Sequence, residues 1–498
     1  MRLIAAILLL LLSFSGAGQT DVPIPTKLDH NTSLSDYFAE ELKILSHDSM
    51  EGRGTLSRGI RRAESHIVKE LRANGVDTCE GFPDYLQDVP LLQSSVPNSV
   101  EIQYGKKLLL KDNDILVVSG KTVNVMGNGV FVSLGLPNEL ENKDLKGKWV
   151  IAIVGNGEDS YPGKWLISGQ EKARICRQKG ALGLIEIFQP GKMPWQMLKS
   201  FQGRSKLKLA DEGYDFPHMW VNPADSSILA TLTSPDLPIN VNIVGVESTV
   251  EVDHNIIGFI PGSNKSLEDE VMIFSAHYDH VGIGKPDAAG DSIYNGARDN
   301  AVGVATLLAL SRHFAEKGTP RPLLFVFFTA EERGLLGSKY FVENCPVPLS
   351  DIRFNFNCDK GGYTDVDMIS IVGFHRMEGW NDIDELLKVE GMRHYEPVSL
   401  AKRLFYASDN ANFAEKGIPA PSFSMGFTGM TQELLKFYHQ AGDHWDNFDR
   451  SYMSAYWKGI SAIAVNLVGQ EDLPYWKTTD PLYEKANQLY ENANSKKK

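Results

Sequence analysis

Cysteine is scarce in this chain, with four in 498 residues. Cys79, Cys176, Cys345 and Cys358 show no C-x-x-C spacing, and for an exported protein of this size they are too few for a disulfide framework. Cys345 and Cys358 can pair, and free buried thiols are an equally good reading. Positive charge is also in deficit: 50 Lys and Arg stand against 63 Asp and Glu, a net charge of −13. That balance argues against nucleic acid as a partner. It suits an exported protein, or a site that binds cations or amines. Long apolar runs are missing after the N-terminus, so no later segment reads as a membrane span. Solenoid repeats are absent too.

The one apolar run, Leu3–Leu12, follows Arg2 and gives way to the small residues Ser15-Gly16-Ala17. A secretory signal needs about 7–15 apolar residues and a spanning helix about 20. Residues 1–18 are therefore expected to be a signal peptide, cleaved near Ala17 or Gly18, with an uncleaved anchor as the alternative. No Cys lies near the cleavage zone, which disfavours a lipid anchor. The expected location is exported, periplasmic or extracellular, without stable membrane insertion after cleavage.

Beyond the signal, Leu34, Phe38, Leu42 and Leu45 fall at helical spacing behind a Ser33 or Ser35 cap. A Gly-rich break, Glu51–Gly54, precedes a second helix through Ala63–Leu71 that stops at Asn74-Gly75. From Leu110 to about Val246 the texture is short β-branched runs between turns, a compact β-rich module. From Asn255 to about Val468 strands and helices alternate, which predicts an α/β fold: a mostly parallel, doubly wound mixed sheet with helices on both faces. The expected organisation is 19–110 as the first part of a main domain, 111–246 as an inserted β-rich domain, 247–470 as the rest of the main domain, and 471–498 as a polar tail.

Three apolar runs in this α/β region each end in a potential metal ligand: Val271–Ala276 before His277 and Asp279, Pro322–Ala330 before Glu331 and Glu332, and Phe354–Cys358 before Asp359. Ligands of open α/β sheets bind outside the carboxyl ends of the strands, so these residues can converge. Asp279, two residues beyond His277, can hold the imidazole by its free ring N–H. Asp299 opens a helix between the first two runs; alone it reads as an N-cap, but its two oxygens can also bridge two cations. Glu331 and Glu332 diverge, so one can bind a metal while the other reaches a water. A second imidazole is needed, and both His439 and His444 are available.

Taken together, the segments S-A-H-Y-D-H (275–280), N-G-A-R-D-N-A (295–301), F-T-A-E-E-R-G-L-L-G-S (328–338), N-F-N-C-D (355–359), S-D-N-A-N-F (408–413) and Y-H-Q-A-G-D (438–443) resemble the co-catalytic di-zinc exopeptidase family. That family includes secreted bacterial aminopeptidases and is related to the glutamate carboxypeptidases. The insert resembles a protease-associated domain, chiefly through K-G-K-W-V-I-A-I-V (146–154) and K-G-A-L-G-L-I (179–185). The resemblance implies two zinc ions, with cobalt or manganese also compatible with the N/O ligands. It places His277 and Asp359 on one ion and Glu332 and His439 on the other. Asp299 bridges them, its following peptide bond cis. Glu331 becomes general base and acid, Asp279 orients His277, and Tyr438 polarises the substrate carbonyl. The resemblance also selects His439 over His444.

The sequence departs from the family pattern at Lys360-Gly361-Gly362, at Asn410 and Asn412, and at Arg298, where an acid is frequent. None of these removes a ligand. The expected function is an exported aminopeptidase acting on peptides. A carboxypeptidase or dipeptidase of the same fold is the alternative and needs a cationic clamp, for which Arg298, Arg393 and Arg403 are candidates. A glutaminyl cyclase-like enzyme or a non-catalytic receptor-like relative fits less well, because every ligand is present. Side-chain preference and oligomeric state stay open.

Overall fold

A computed structural model describes residues 33–496, except 106, 158–161, 190–193, 203–205, 211–214, 223–231, 234–237, 360–361, 382 and 397. The expected signal peptide and the Lys360-Gly361 departure lie outside the described residues. The larger of two main sheets runs, edge to edge, through the strands Arg393–Tyr395, Met368–Val372, Ser422–Met425, Ile352–Cys358, Val271–His277, Leu323–Phe328, Ser248–Ile260, Leu86–Ser94 and Lys206–Leu209. Its centre is parallel: Val271–His277 pairs parallel with both Leu323–Phe328 and Ile352–Cys358. These runs are continuously apolar because both faces of the sheet are covered, and Leu323–Phe328 is buried at every position.

The sheet is less parallel than the strand–helix alternation suggested. Leu323–Phe328, Ser248–Ile260, Leu86–Ser94 and Lys206–Leu209 follow one another antiparallel. Pairing between Ser248–Ile260 and Leu86–Ser94 joins segments on either side of the insert, which local periodicity cannot register. Phe274 stacks on Phe325 under one layer of helices, and Phe328 meets Phe341 and Phe413 under the other. The helices Leu34–Leu45, Arg58–Ala73, Val302–Lys317 and Arg450–Gly469 form the first layer. Side-chain caps start three of these: Ser33 and Ser57 accept the backbone N–H of Asp36 and Ile60, and Asp449 that of Tyr452. Among the described residues, no helix is long and apolar enough to cross a membrane.

The second sheet has eight strands between Ser99 and Val244 and its own apolar core around Trp149, Ile151, Ile185 and Val241. Its first strand is Ser99–Tyr104. Lys206–Leu209 leaves this module to pair with Leu86–Ser94 at the edge of the large sheet.

Candidate metal centre

The parallel strands Val271–His277, Leu323–Phe328 and Ile352–Cys358 deliver their C-terminal ends to one edge of the large sheet. His277 is the last residue of its strand, Asp359 follows Cys358, and Glu331-Glu332 follow Phe328 by a short turn. His277 Nε2 lies 3.1 Å from Asp359 Oδ1 and 3.3 Å from Asp299 Oδ1. The other oxygen of the same carboxylate, Asp299 Oδ2, lies 3.1 Å from His439 Nε2. His439 Nε2 is in turn 3.1 Å from Glu332 Oε1. Two groups of donors result. In one, donor atoms of His277, Glu331 and Asp359 lie within 4.8 Å of one another; in the other, those of His280, Asp299, Glu332 and His439 do.

The backbone around Asp299 is irregular. Asp299 and Asn300 have non-helical dihedrals, the peptide bond between them is cis, and the regular helix begins only at Val302. Asn300 Nδ2 donates to Cys358 O at 2.8 Å, tying the turn to the strand that ends at Asp359. His439 has a left-handed backbone, φ 52°, which is uncommon for a residue other than glycine. Its neighbour Arg298 fixes that loop: Arg298 Nη1 and backbone N–H donate to Asp443 at 2.7 and 2.8 Å, and the guanidinium lies 3.9 Å from the centroid of the Phe437 ring.

Asp279 is fully buried beneath the site. His277 Nδ1 lies 3.1 Å from its backbone carbonyl and 3.7 Å from its carboxylate Oδ1. The carboxylate itself accepts the Glu331 N–H and the Thr55 hydroxyl, each at 3.0 Å. Asp279 thus reaches His277 mainly through its main chain and sets the Glu331 turn with its side chain. Tyr438 stacks on the His439 ring with centroids 4.1 Å apart and is partly exposed. His444 stands apart from the cluster, paired with Asp291 at 3.2 Å and with Asn295 Nδ2 at 2.8 Å.

Charge is dense here. Burial pushes Glu331 well above the usual carboxylate range, His277 opposes it, and the neighbouring acids Asp359, Glu332 and Asp409 add to the rise. Burial and Asp299 raise Glu332, but hydrogen bonds to His280 and His439 outweigh them and hold it at about 2. Burial lowers His439, yet Asp299 and Glu332 carry it up to about 11. Burial raises Asp299, and hydrogen bonds with His277 and His439 bring it well below the usual range. Four carboxylates and three imidazoles at contact distance in a largely buried cleft form a donor set that fits divalent cations, whose charge offsets the carboxylates' mutual repulsion.

Several contributors escaped the sequence reading. Arg53, fully buried, donates to the carbonyls of Tyr278, Asn295 and Gly296 at 2.8–2.9 Å, and so clamps the segments carrying His277 and Asp299. Ser408 Oγ donates to Asp359 Oδ2. His280 Nδ1 lies 2.9 Å from Glu332 Oε1. Beside Tyr438, an apolar pocket is lined by Leu404, Ala407, Phe427, Met430 and Leu434.

Residues 255–464 match the model of Peptidase family M28. The chain is 24% identical over 337 residues to aminopeptidase YwaD of Bacillus subtilis (strain 168), a match covering 66% of this chain and 65% of that protein. It is 21% identical over 392 residues to the probable leucine aminopeptidase 2 of Aspergillus oryzae (strain ATCC 42149 / RIB 40), covering 72% and 71%. Among solved structures, the aminopeptidase from Aneurinibacillus sp. strain AM-1 shares the fold, with a TM-score of 0.54 at 19% identity, covering 89% of this chain and 98% of that one. The match thus spans just under two thirds of the length of YwaD.

Proposed function

We infer that this chain, whose residues 255–464 match peptidase family M28, is an exported zinc aminopeptidase of that family that removes N-terminal residues from peptides with two zinc ions. One observation carries the reading: the single Asp299 carboxylate reaches toward an imidazole with each oxygen, His277 at 3.3 Å and His439 at 3.1 Å. His277 and Asp359 would hold one ion, Glu332 and His439 the other, and Asp299 both. Cations held by these residues would supply Lewis-acid polarisation of a scissile carbonyl and would lower the pKa of a bound water.

The rest is the work of side chains. Glu331 takes the proton of the attacking water and passes it to the leaving amine, a role that suits a carboxylate raised by burial. Asp279 holds the Glu331 backbone in place. Tyr438 donates its hydroxyl to the carbonyl oxygen of the substrate. The substrate's α-ammonium sits against the acidic cluster, and its first side chain enters the apolar pocket beside Tyr438. Two arginines weighed as clamps for a substrate carboxylate are engaged elsewhere: Arg298 with Asp443 and Arg393 with Asp367. Arg298 in particular is buried with its partner and so is not free to clamp a substrate carboxylate. The eight-stranded module is proposed to be a protease-associated domain, and residues 1–18 an export signal.

Replacing Glu331 by Gln tests the assignment. Turnover is expected to fall by roughly 10²–10⁴-fold, the usual weight of a general acid–base, while zinc content is kept. A fully active Gln variant overturns the mechanism.

A further inference from the structure

His280, the last imidazole of S-A-H-Y-D-H, has no part in the chemistry above. Its side chain is fully buried, and its backbone N–H donates to Arg53 O at 3.1 Å. The ring lies against Gly296: a Cβ there would come within 2.5 Å of His280 Cδ2 and 2.6 Å of Cγ. Glycine at 296 therefore leaves the space the imidazole fills. Of the two ring nitrogens, Nδ1 lies 2.9 Å from Glu332 Oε1, and Nε2 is buried with no hydrogen-bond partner among the described residues. A ring kept only for packing would be better replaced by an apolar one, because a buried unpaired nitrogen costs about 1–3 kcal/mol. Its single polar contact is with a candidate zinc ligand, at the oxygen that also faces His439.

We propose that His280 is a positioning residue for the Glu332 half of the centre. Its Nδ1–H donates to Glu332 Oε1 and fixes the carboxylate toward His439 and Asp299. The inference rests on the two-zinc reading and extends it to a residue outside the ligand set. His277 with Asp359, and His439 with Glu332, each supply one imidazole and one carboxylate around Asp299. A directly ligating His280 would have no counterpart in the other half, whereas a donor to Glu332 needs none. Such outer partners typically contribute 10–100-fold to metal affinity.

The test is zinc affinity, measured on the full chain by competition with a chromophoric chelator. His280→Ala is expected to weaken one of the two ions by roughly 10–100-fold and to leave the other within about twofold of the original chain. His280→Asn places a side-chain N–H where imidazole Nδ1 stood and is expected to restore affinity to within about threefold. Unchanged affinity in His280→Ala overturns the proposal. So does an Asn variant as weak as Ala, which would mean direct ligation or ring packing. Because the Asn variant keeps the hydrogen bond, a poorly folded Ala variant does not remove the test. An original chain that binds no zinc overturns the parent reading itself, and is recognised before any variant is made.

Discussion

Arg298 and Asp443 form a buried, two-pronged pair: Nη1 to Oδ1 at 2.7 Å, and the backbone N–H to Oδ2 at 2.8 Å. The pair joins the residue before Asp299 to the loop that carries His439, whose left-handed backbone needs such a restraint. The arginine first weighed as a substrate clamp is therefore part of the scaffold. Breaking a buried pair by removing one partner strands the other's charge, which costs about 3–5 kcal/mol. Arg298→Ala is accordingly expected to lower the unfolding free energy, read from urea titration, by that much and to weaken zinc at the His439 half. Arg298→Lys is expected to rescue little, since it cannot reproduce the planar contact with Phe437. A variant of undiminished stability would contradict this role.

Zinc uptake should release protons. His439 is held protonated up to about pH 11 by Asp299 and Glu332. Its folded pKa is raised above the ordinary histidine value of about 6.5. The stability it lends to the metal-free chain is thus complete below about pH 6.5 and is lost as pH rises toward 11. Zinc requires the neutral imidazole. Affinity is expected to rise with pH across this window, and titration calorimetry at pH 7.5 in buffers of different ionisation enthalpy should register about one or more protons released as the His439 half fills. A binding enthalpy independent of buffer would count against the ligand assignment.

The apolar pocket beside Tyr438 sets an expectation for substrate. Leu404, Phe427, Met430 and Leu434 offer no charge partner to a side chain, so leucine-type N-terminal residues should exceed glycine in kcat/KM by at least about tenfold, given about 1–3 kcal/mol per buried methylene. Ala407→Phe is expected to narrow the pocket and reverse the preference between leucine and alanine substrates. Equal rates across leucine, alanine and glycine in the original chain would argue against this pocket.

How much of the site was readable follows from chain locality. His277, Glu331, Glu332 and Asp359 each end an apolar run, so periodicity located them, and the parallel strands carry them to one edge. Asp299 and His439 sit in loops whose sequence alone fits a cap or a turn; family resemblance singled them out, and the structure sets them 3.1 Å apart. Arg53 escaped because E-G-R-G reads as a break between helices, and three of its four carbonyl partners lie more than 200 residues away, the fourth being Leu45 O. His280 stood in the quoted motif, yet its contact with Glu332 depends on a glycine at 296 that no spacing rule selects. In the fold, the helices and central strands were legible from pattern and caps. The antiparallel flank was not, since its central pairing, Ser248–Ile260 with Leu86–Ser94, joins segments separated by the whole insert.

The most direct measurement is hydrolysis of one peptide, Leu-Ala-Ala-amide, with its N-terminus free and with it acetylated, by the zinc-loaded chain and followed by mass spectrometry. An aminopeptidase whose acidic cluster holds the α-ammonium releases leucine from the free peptide and leaves the acetylated one intact. Equal cleavage of both peptides, or release of residues only from the carboxyl end of an unamidated version, would contradict the account.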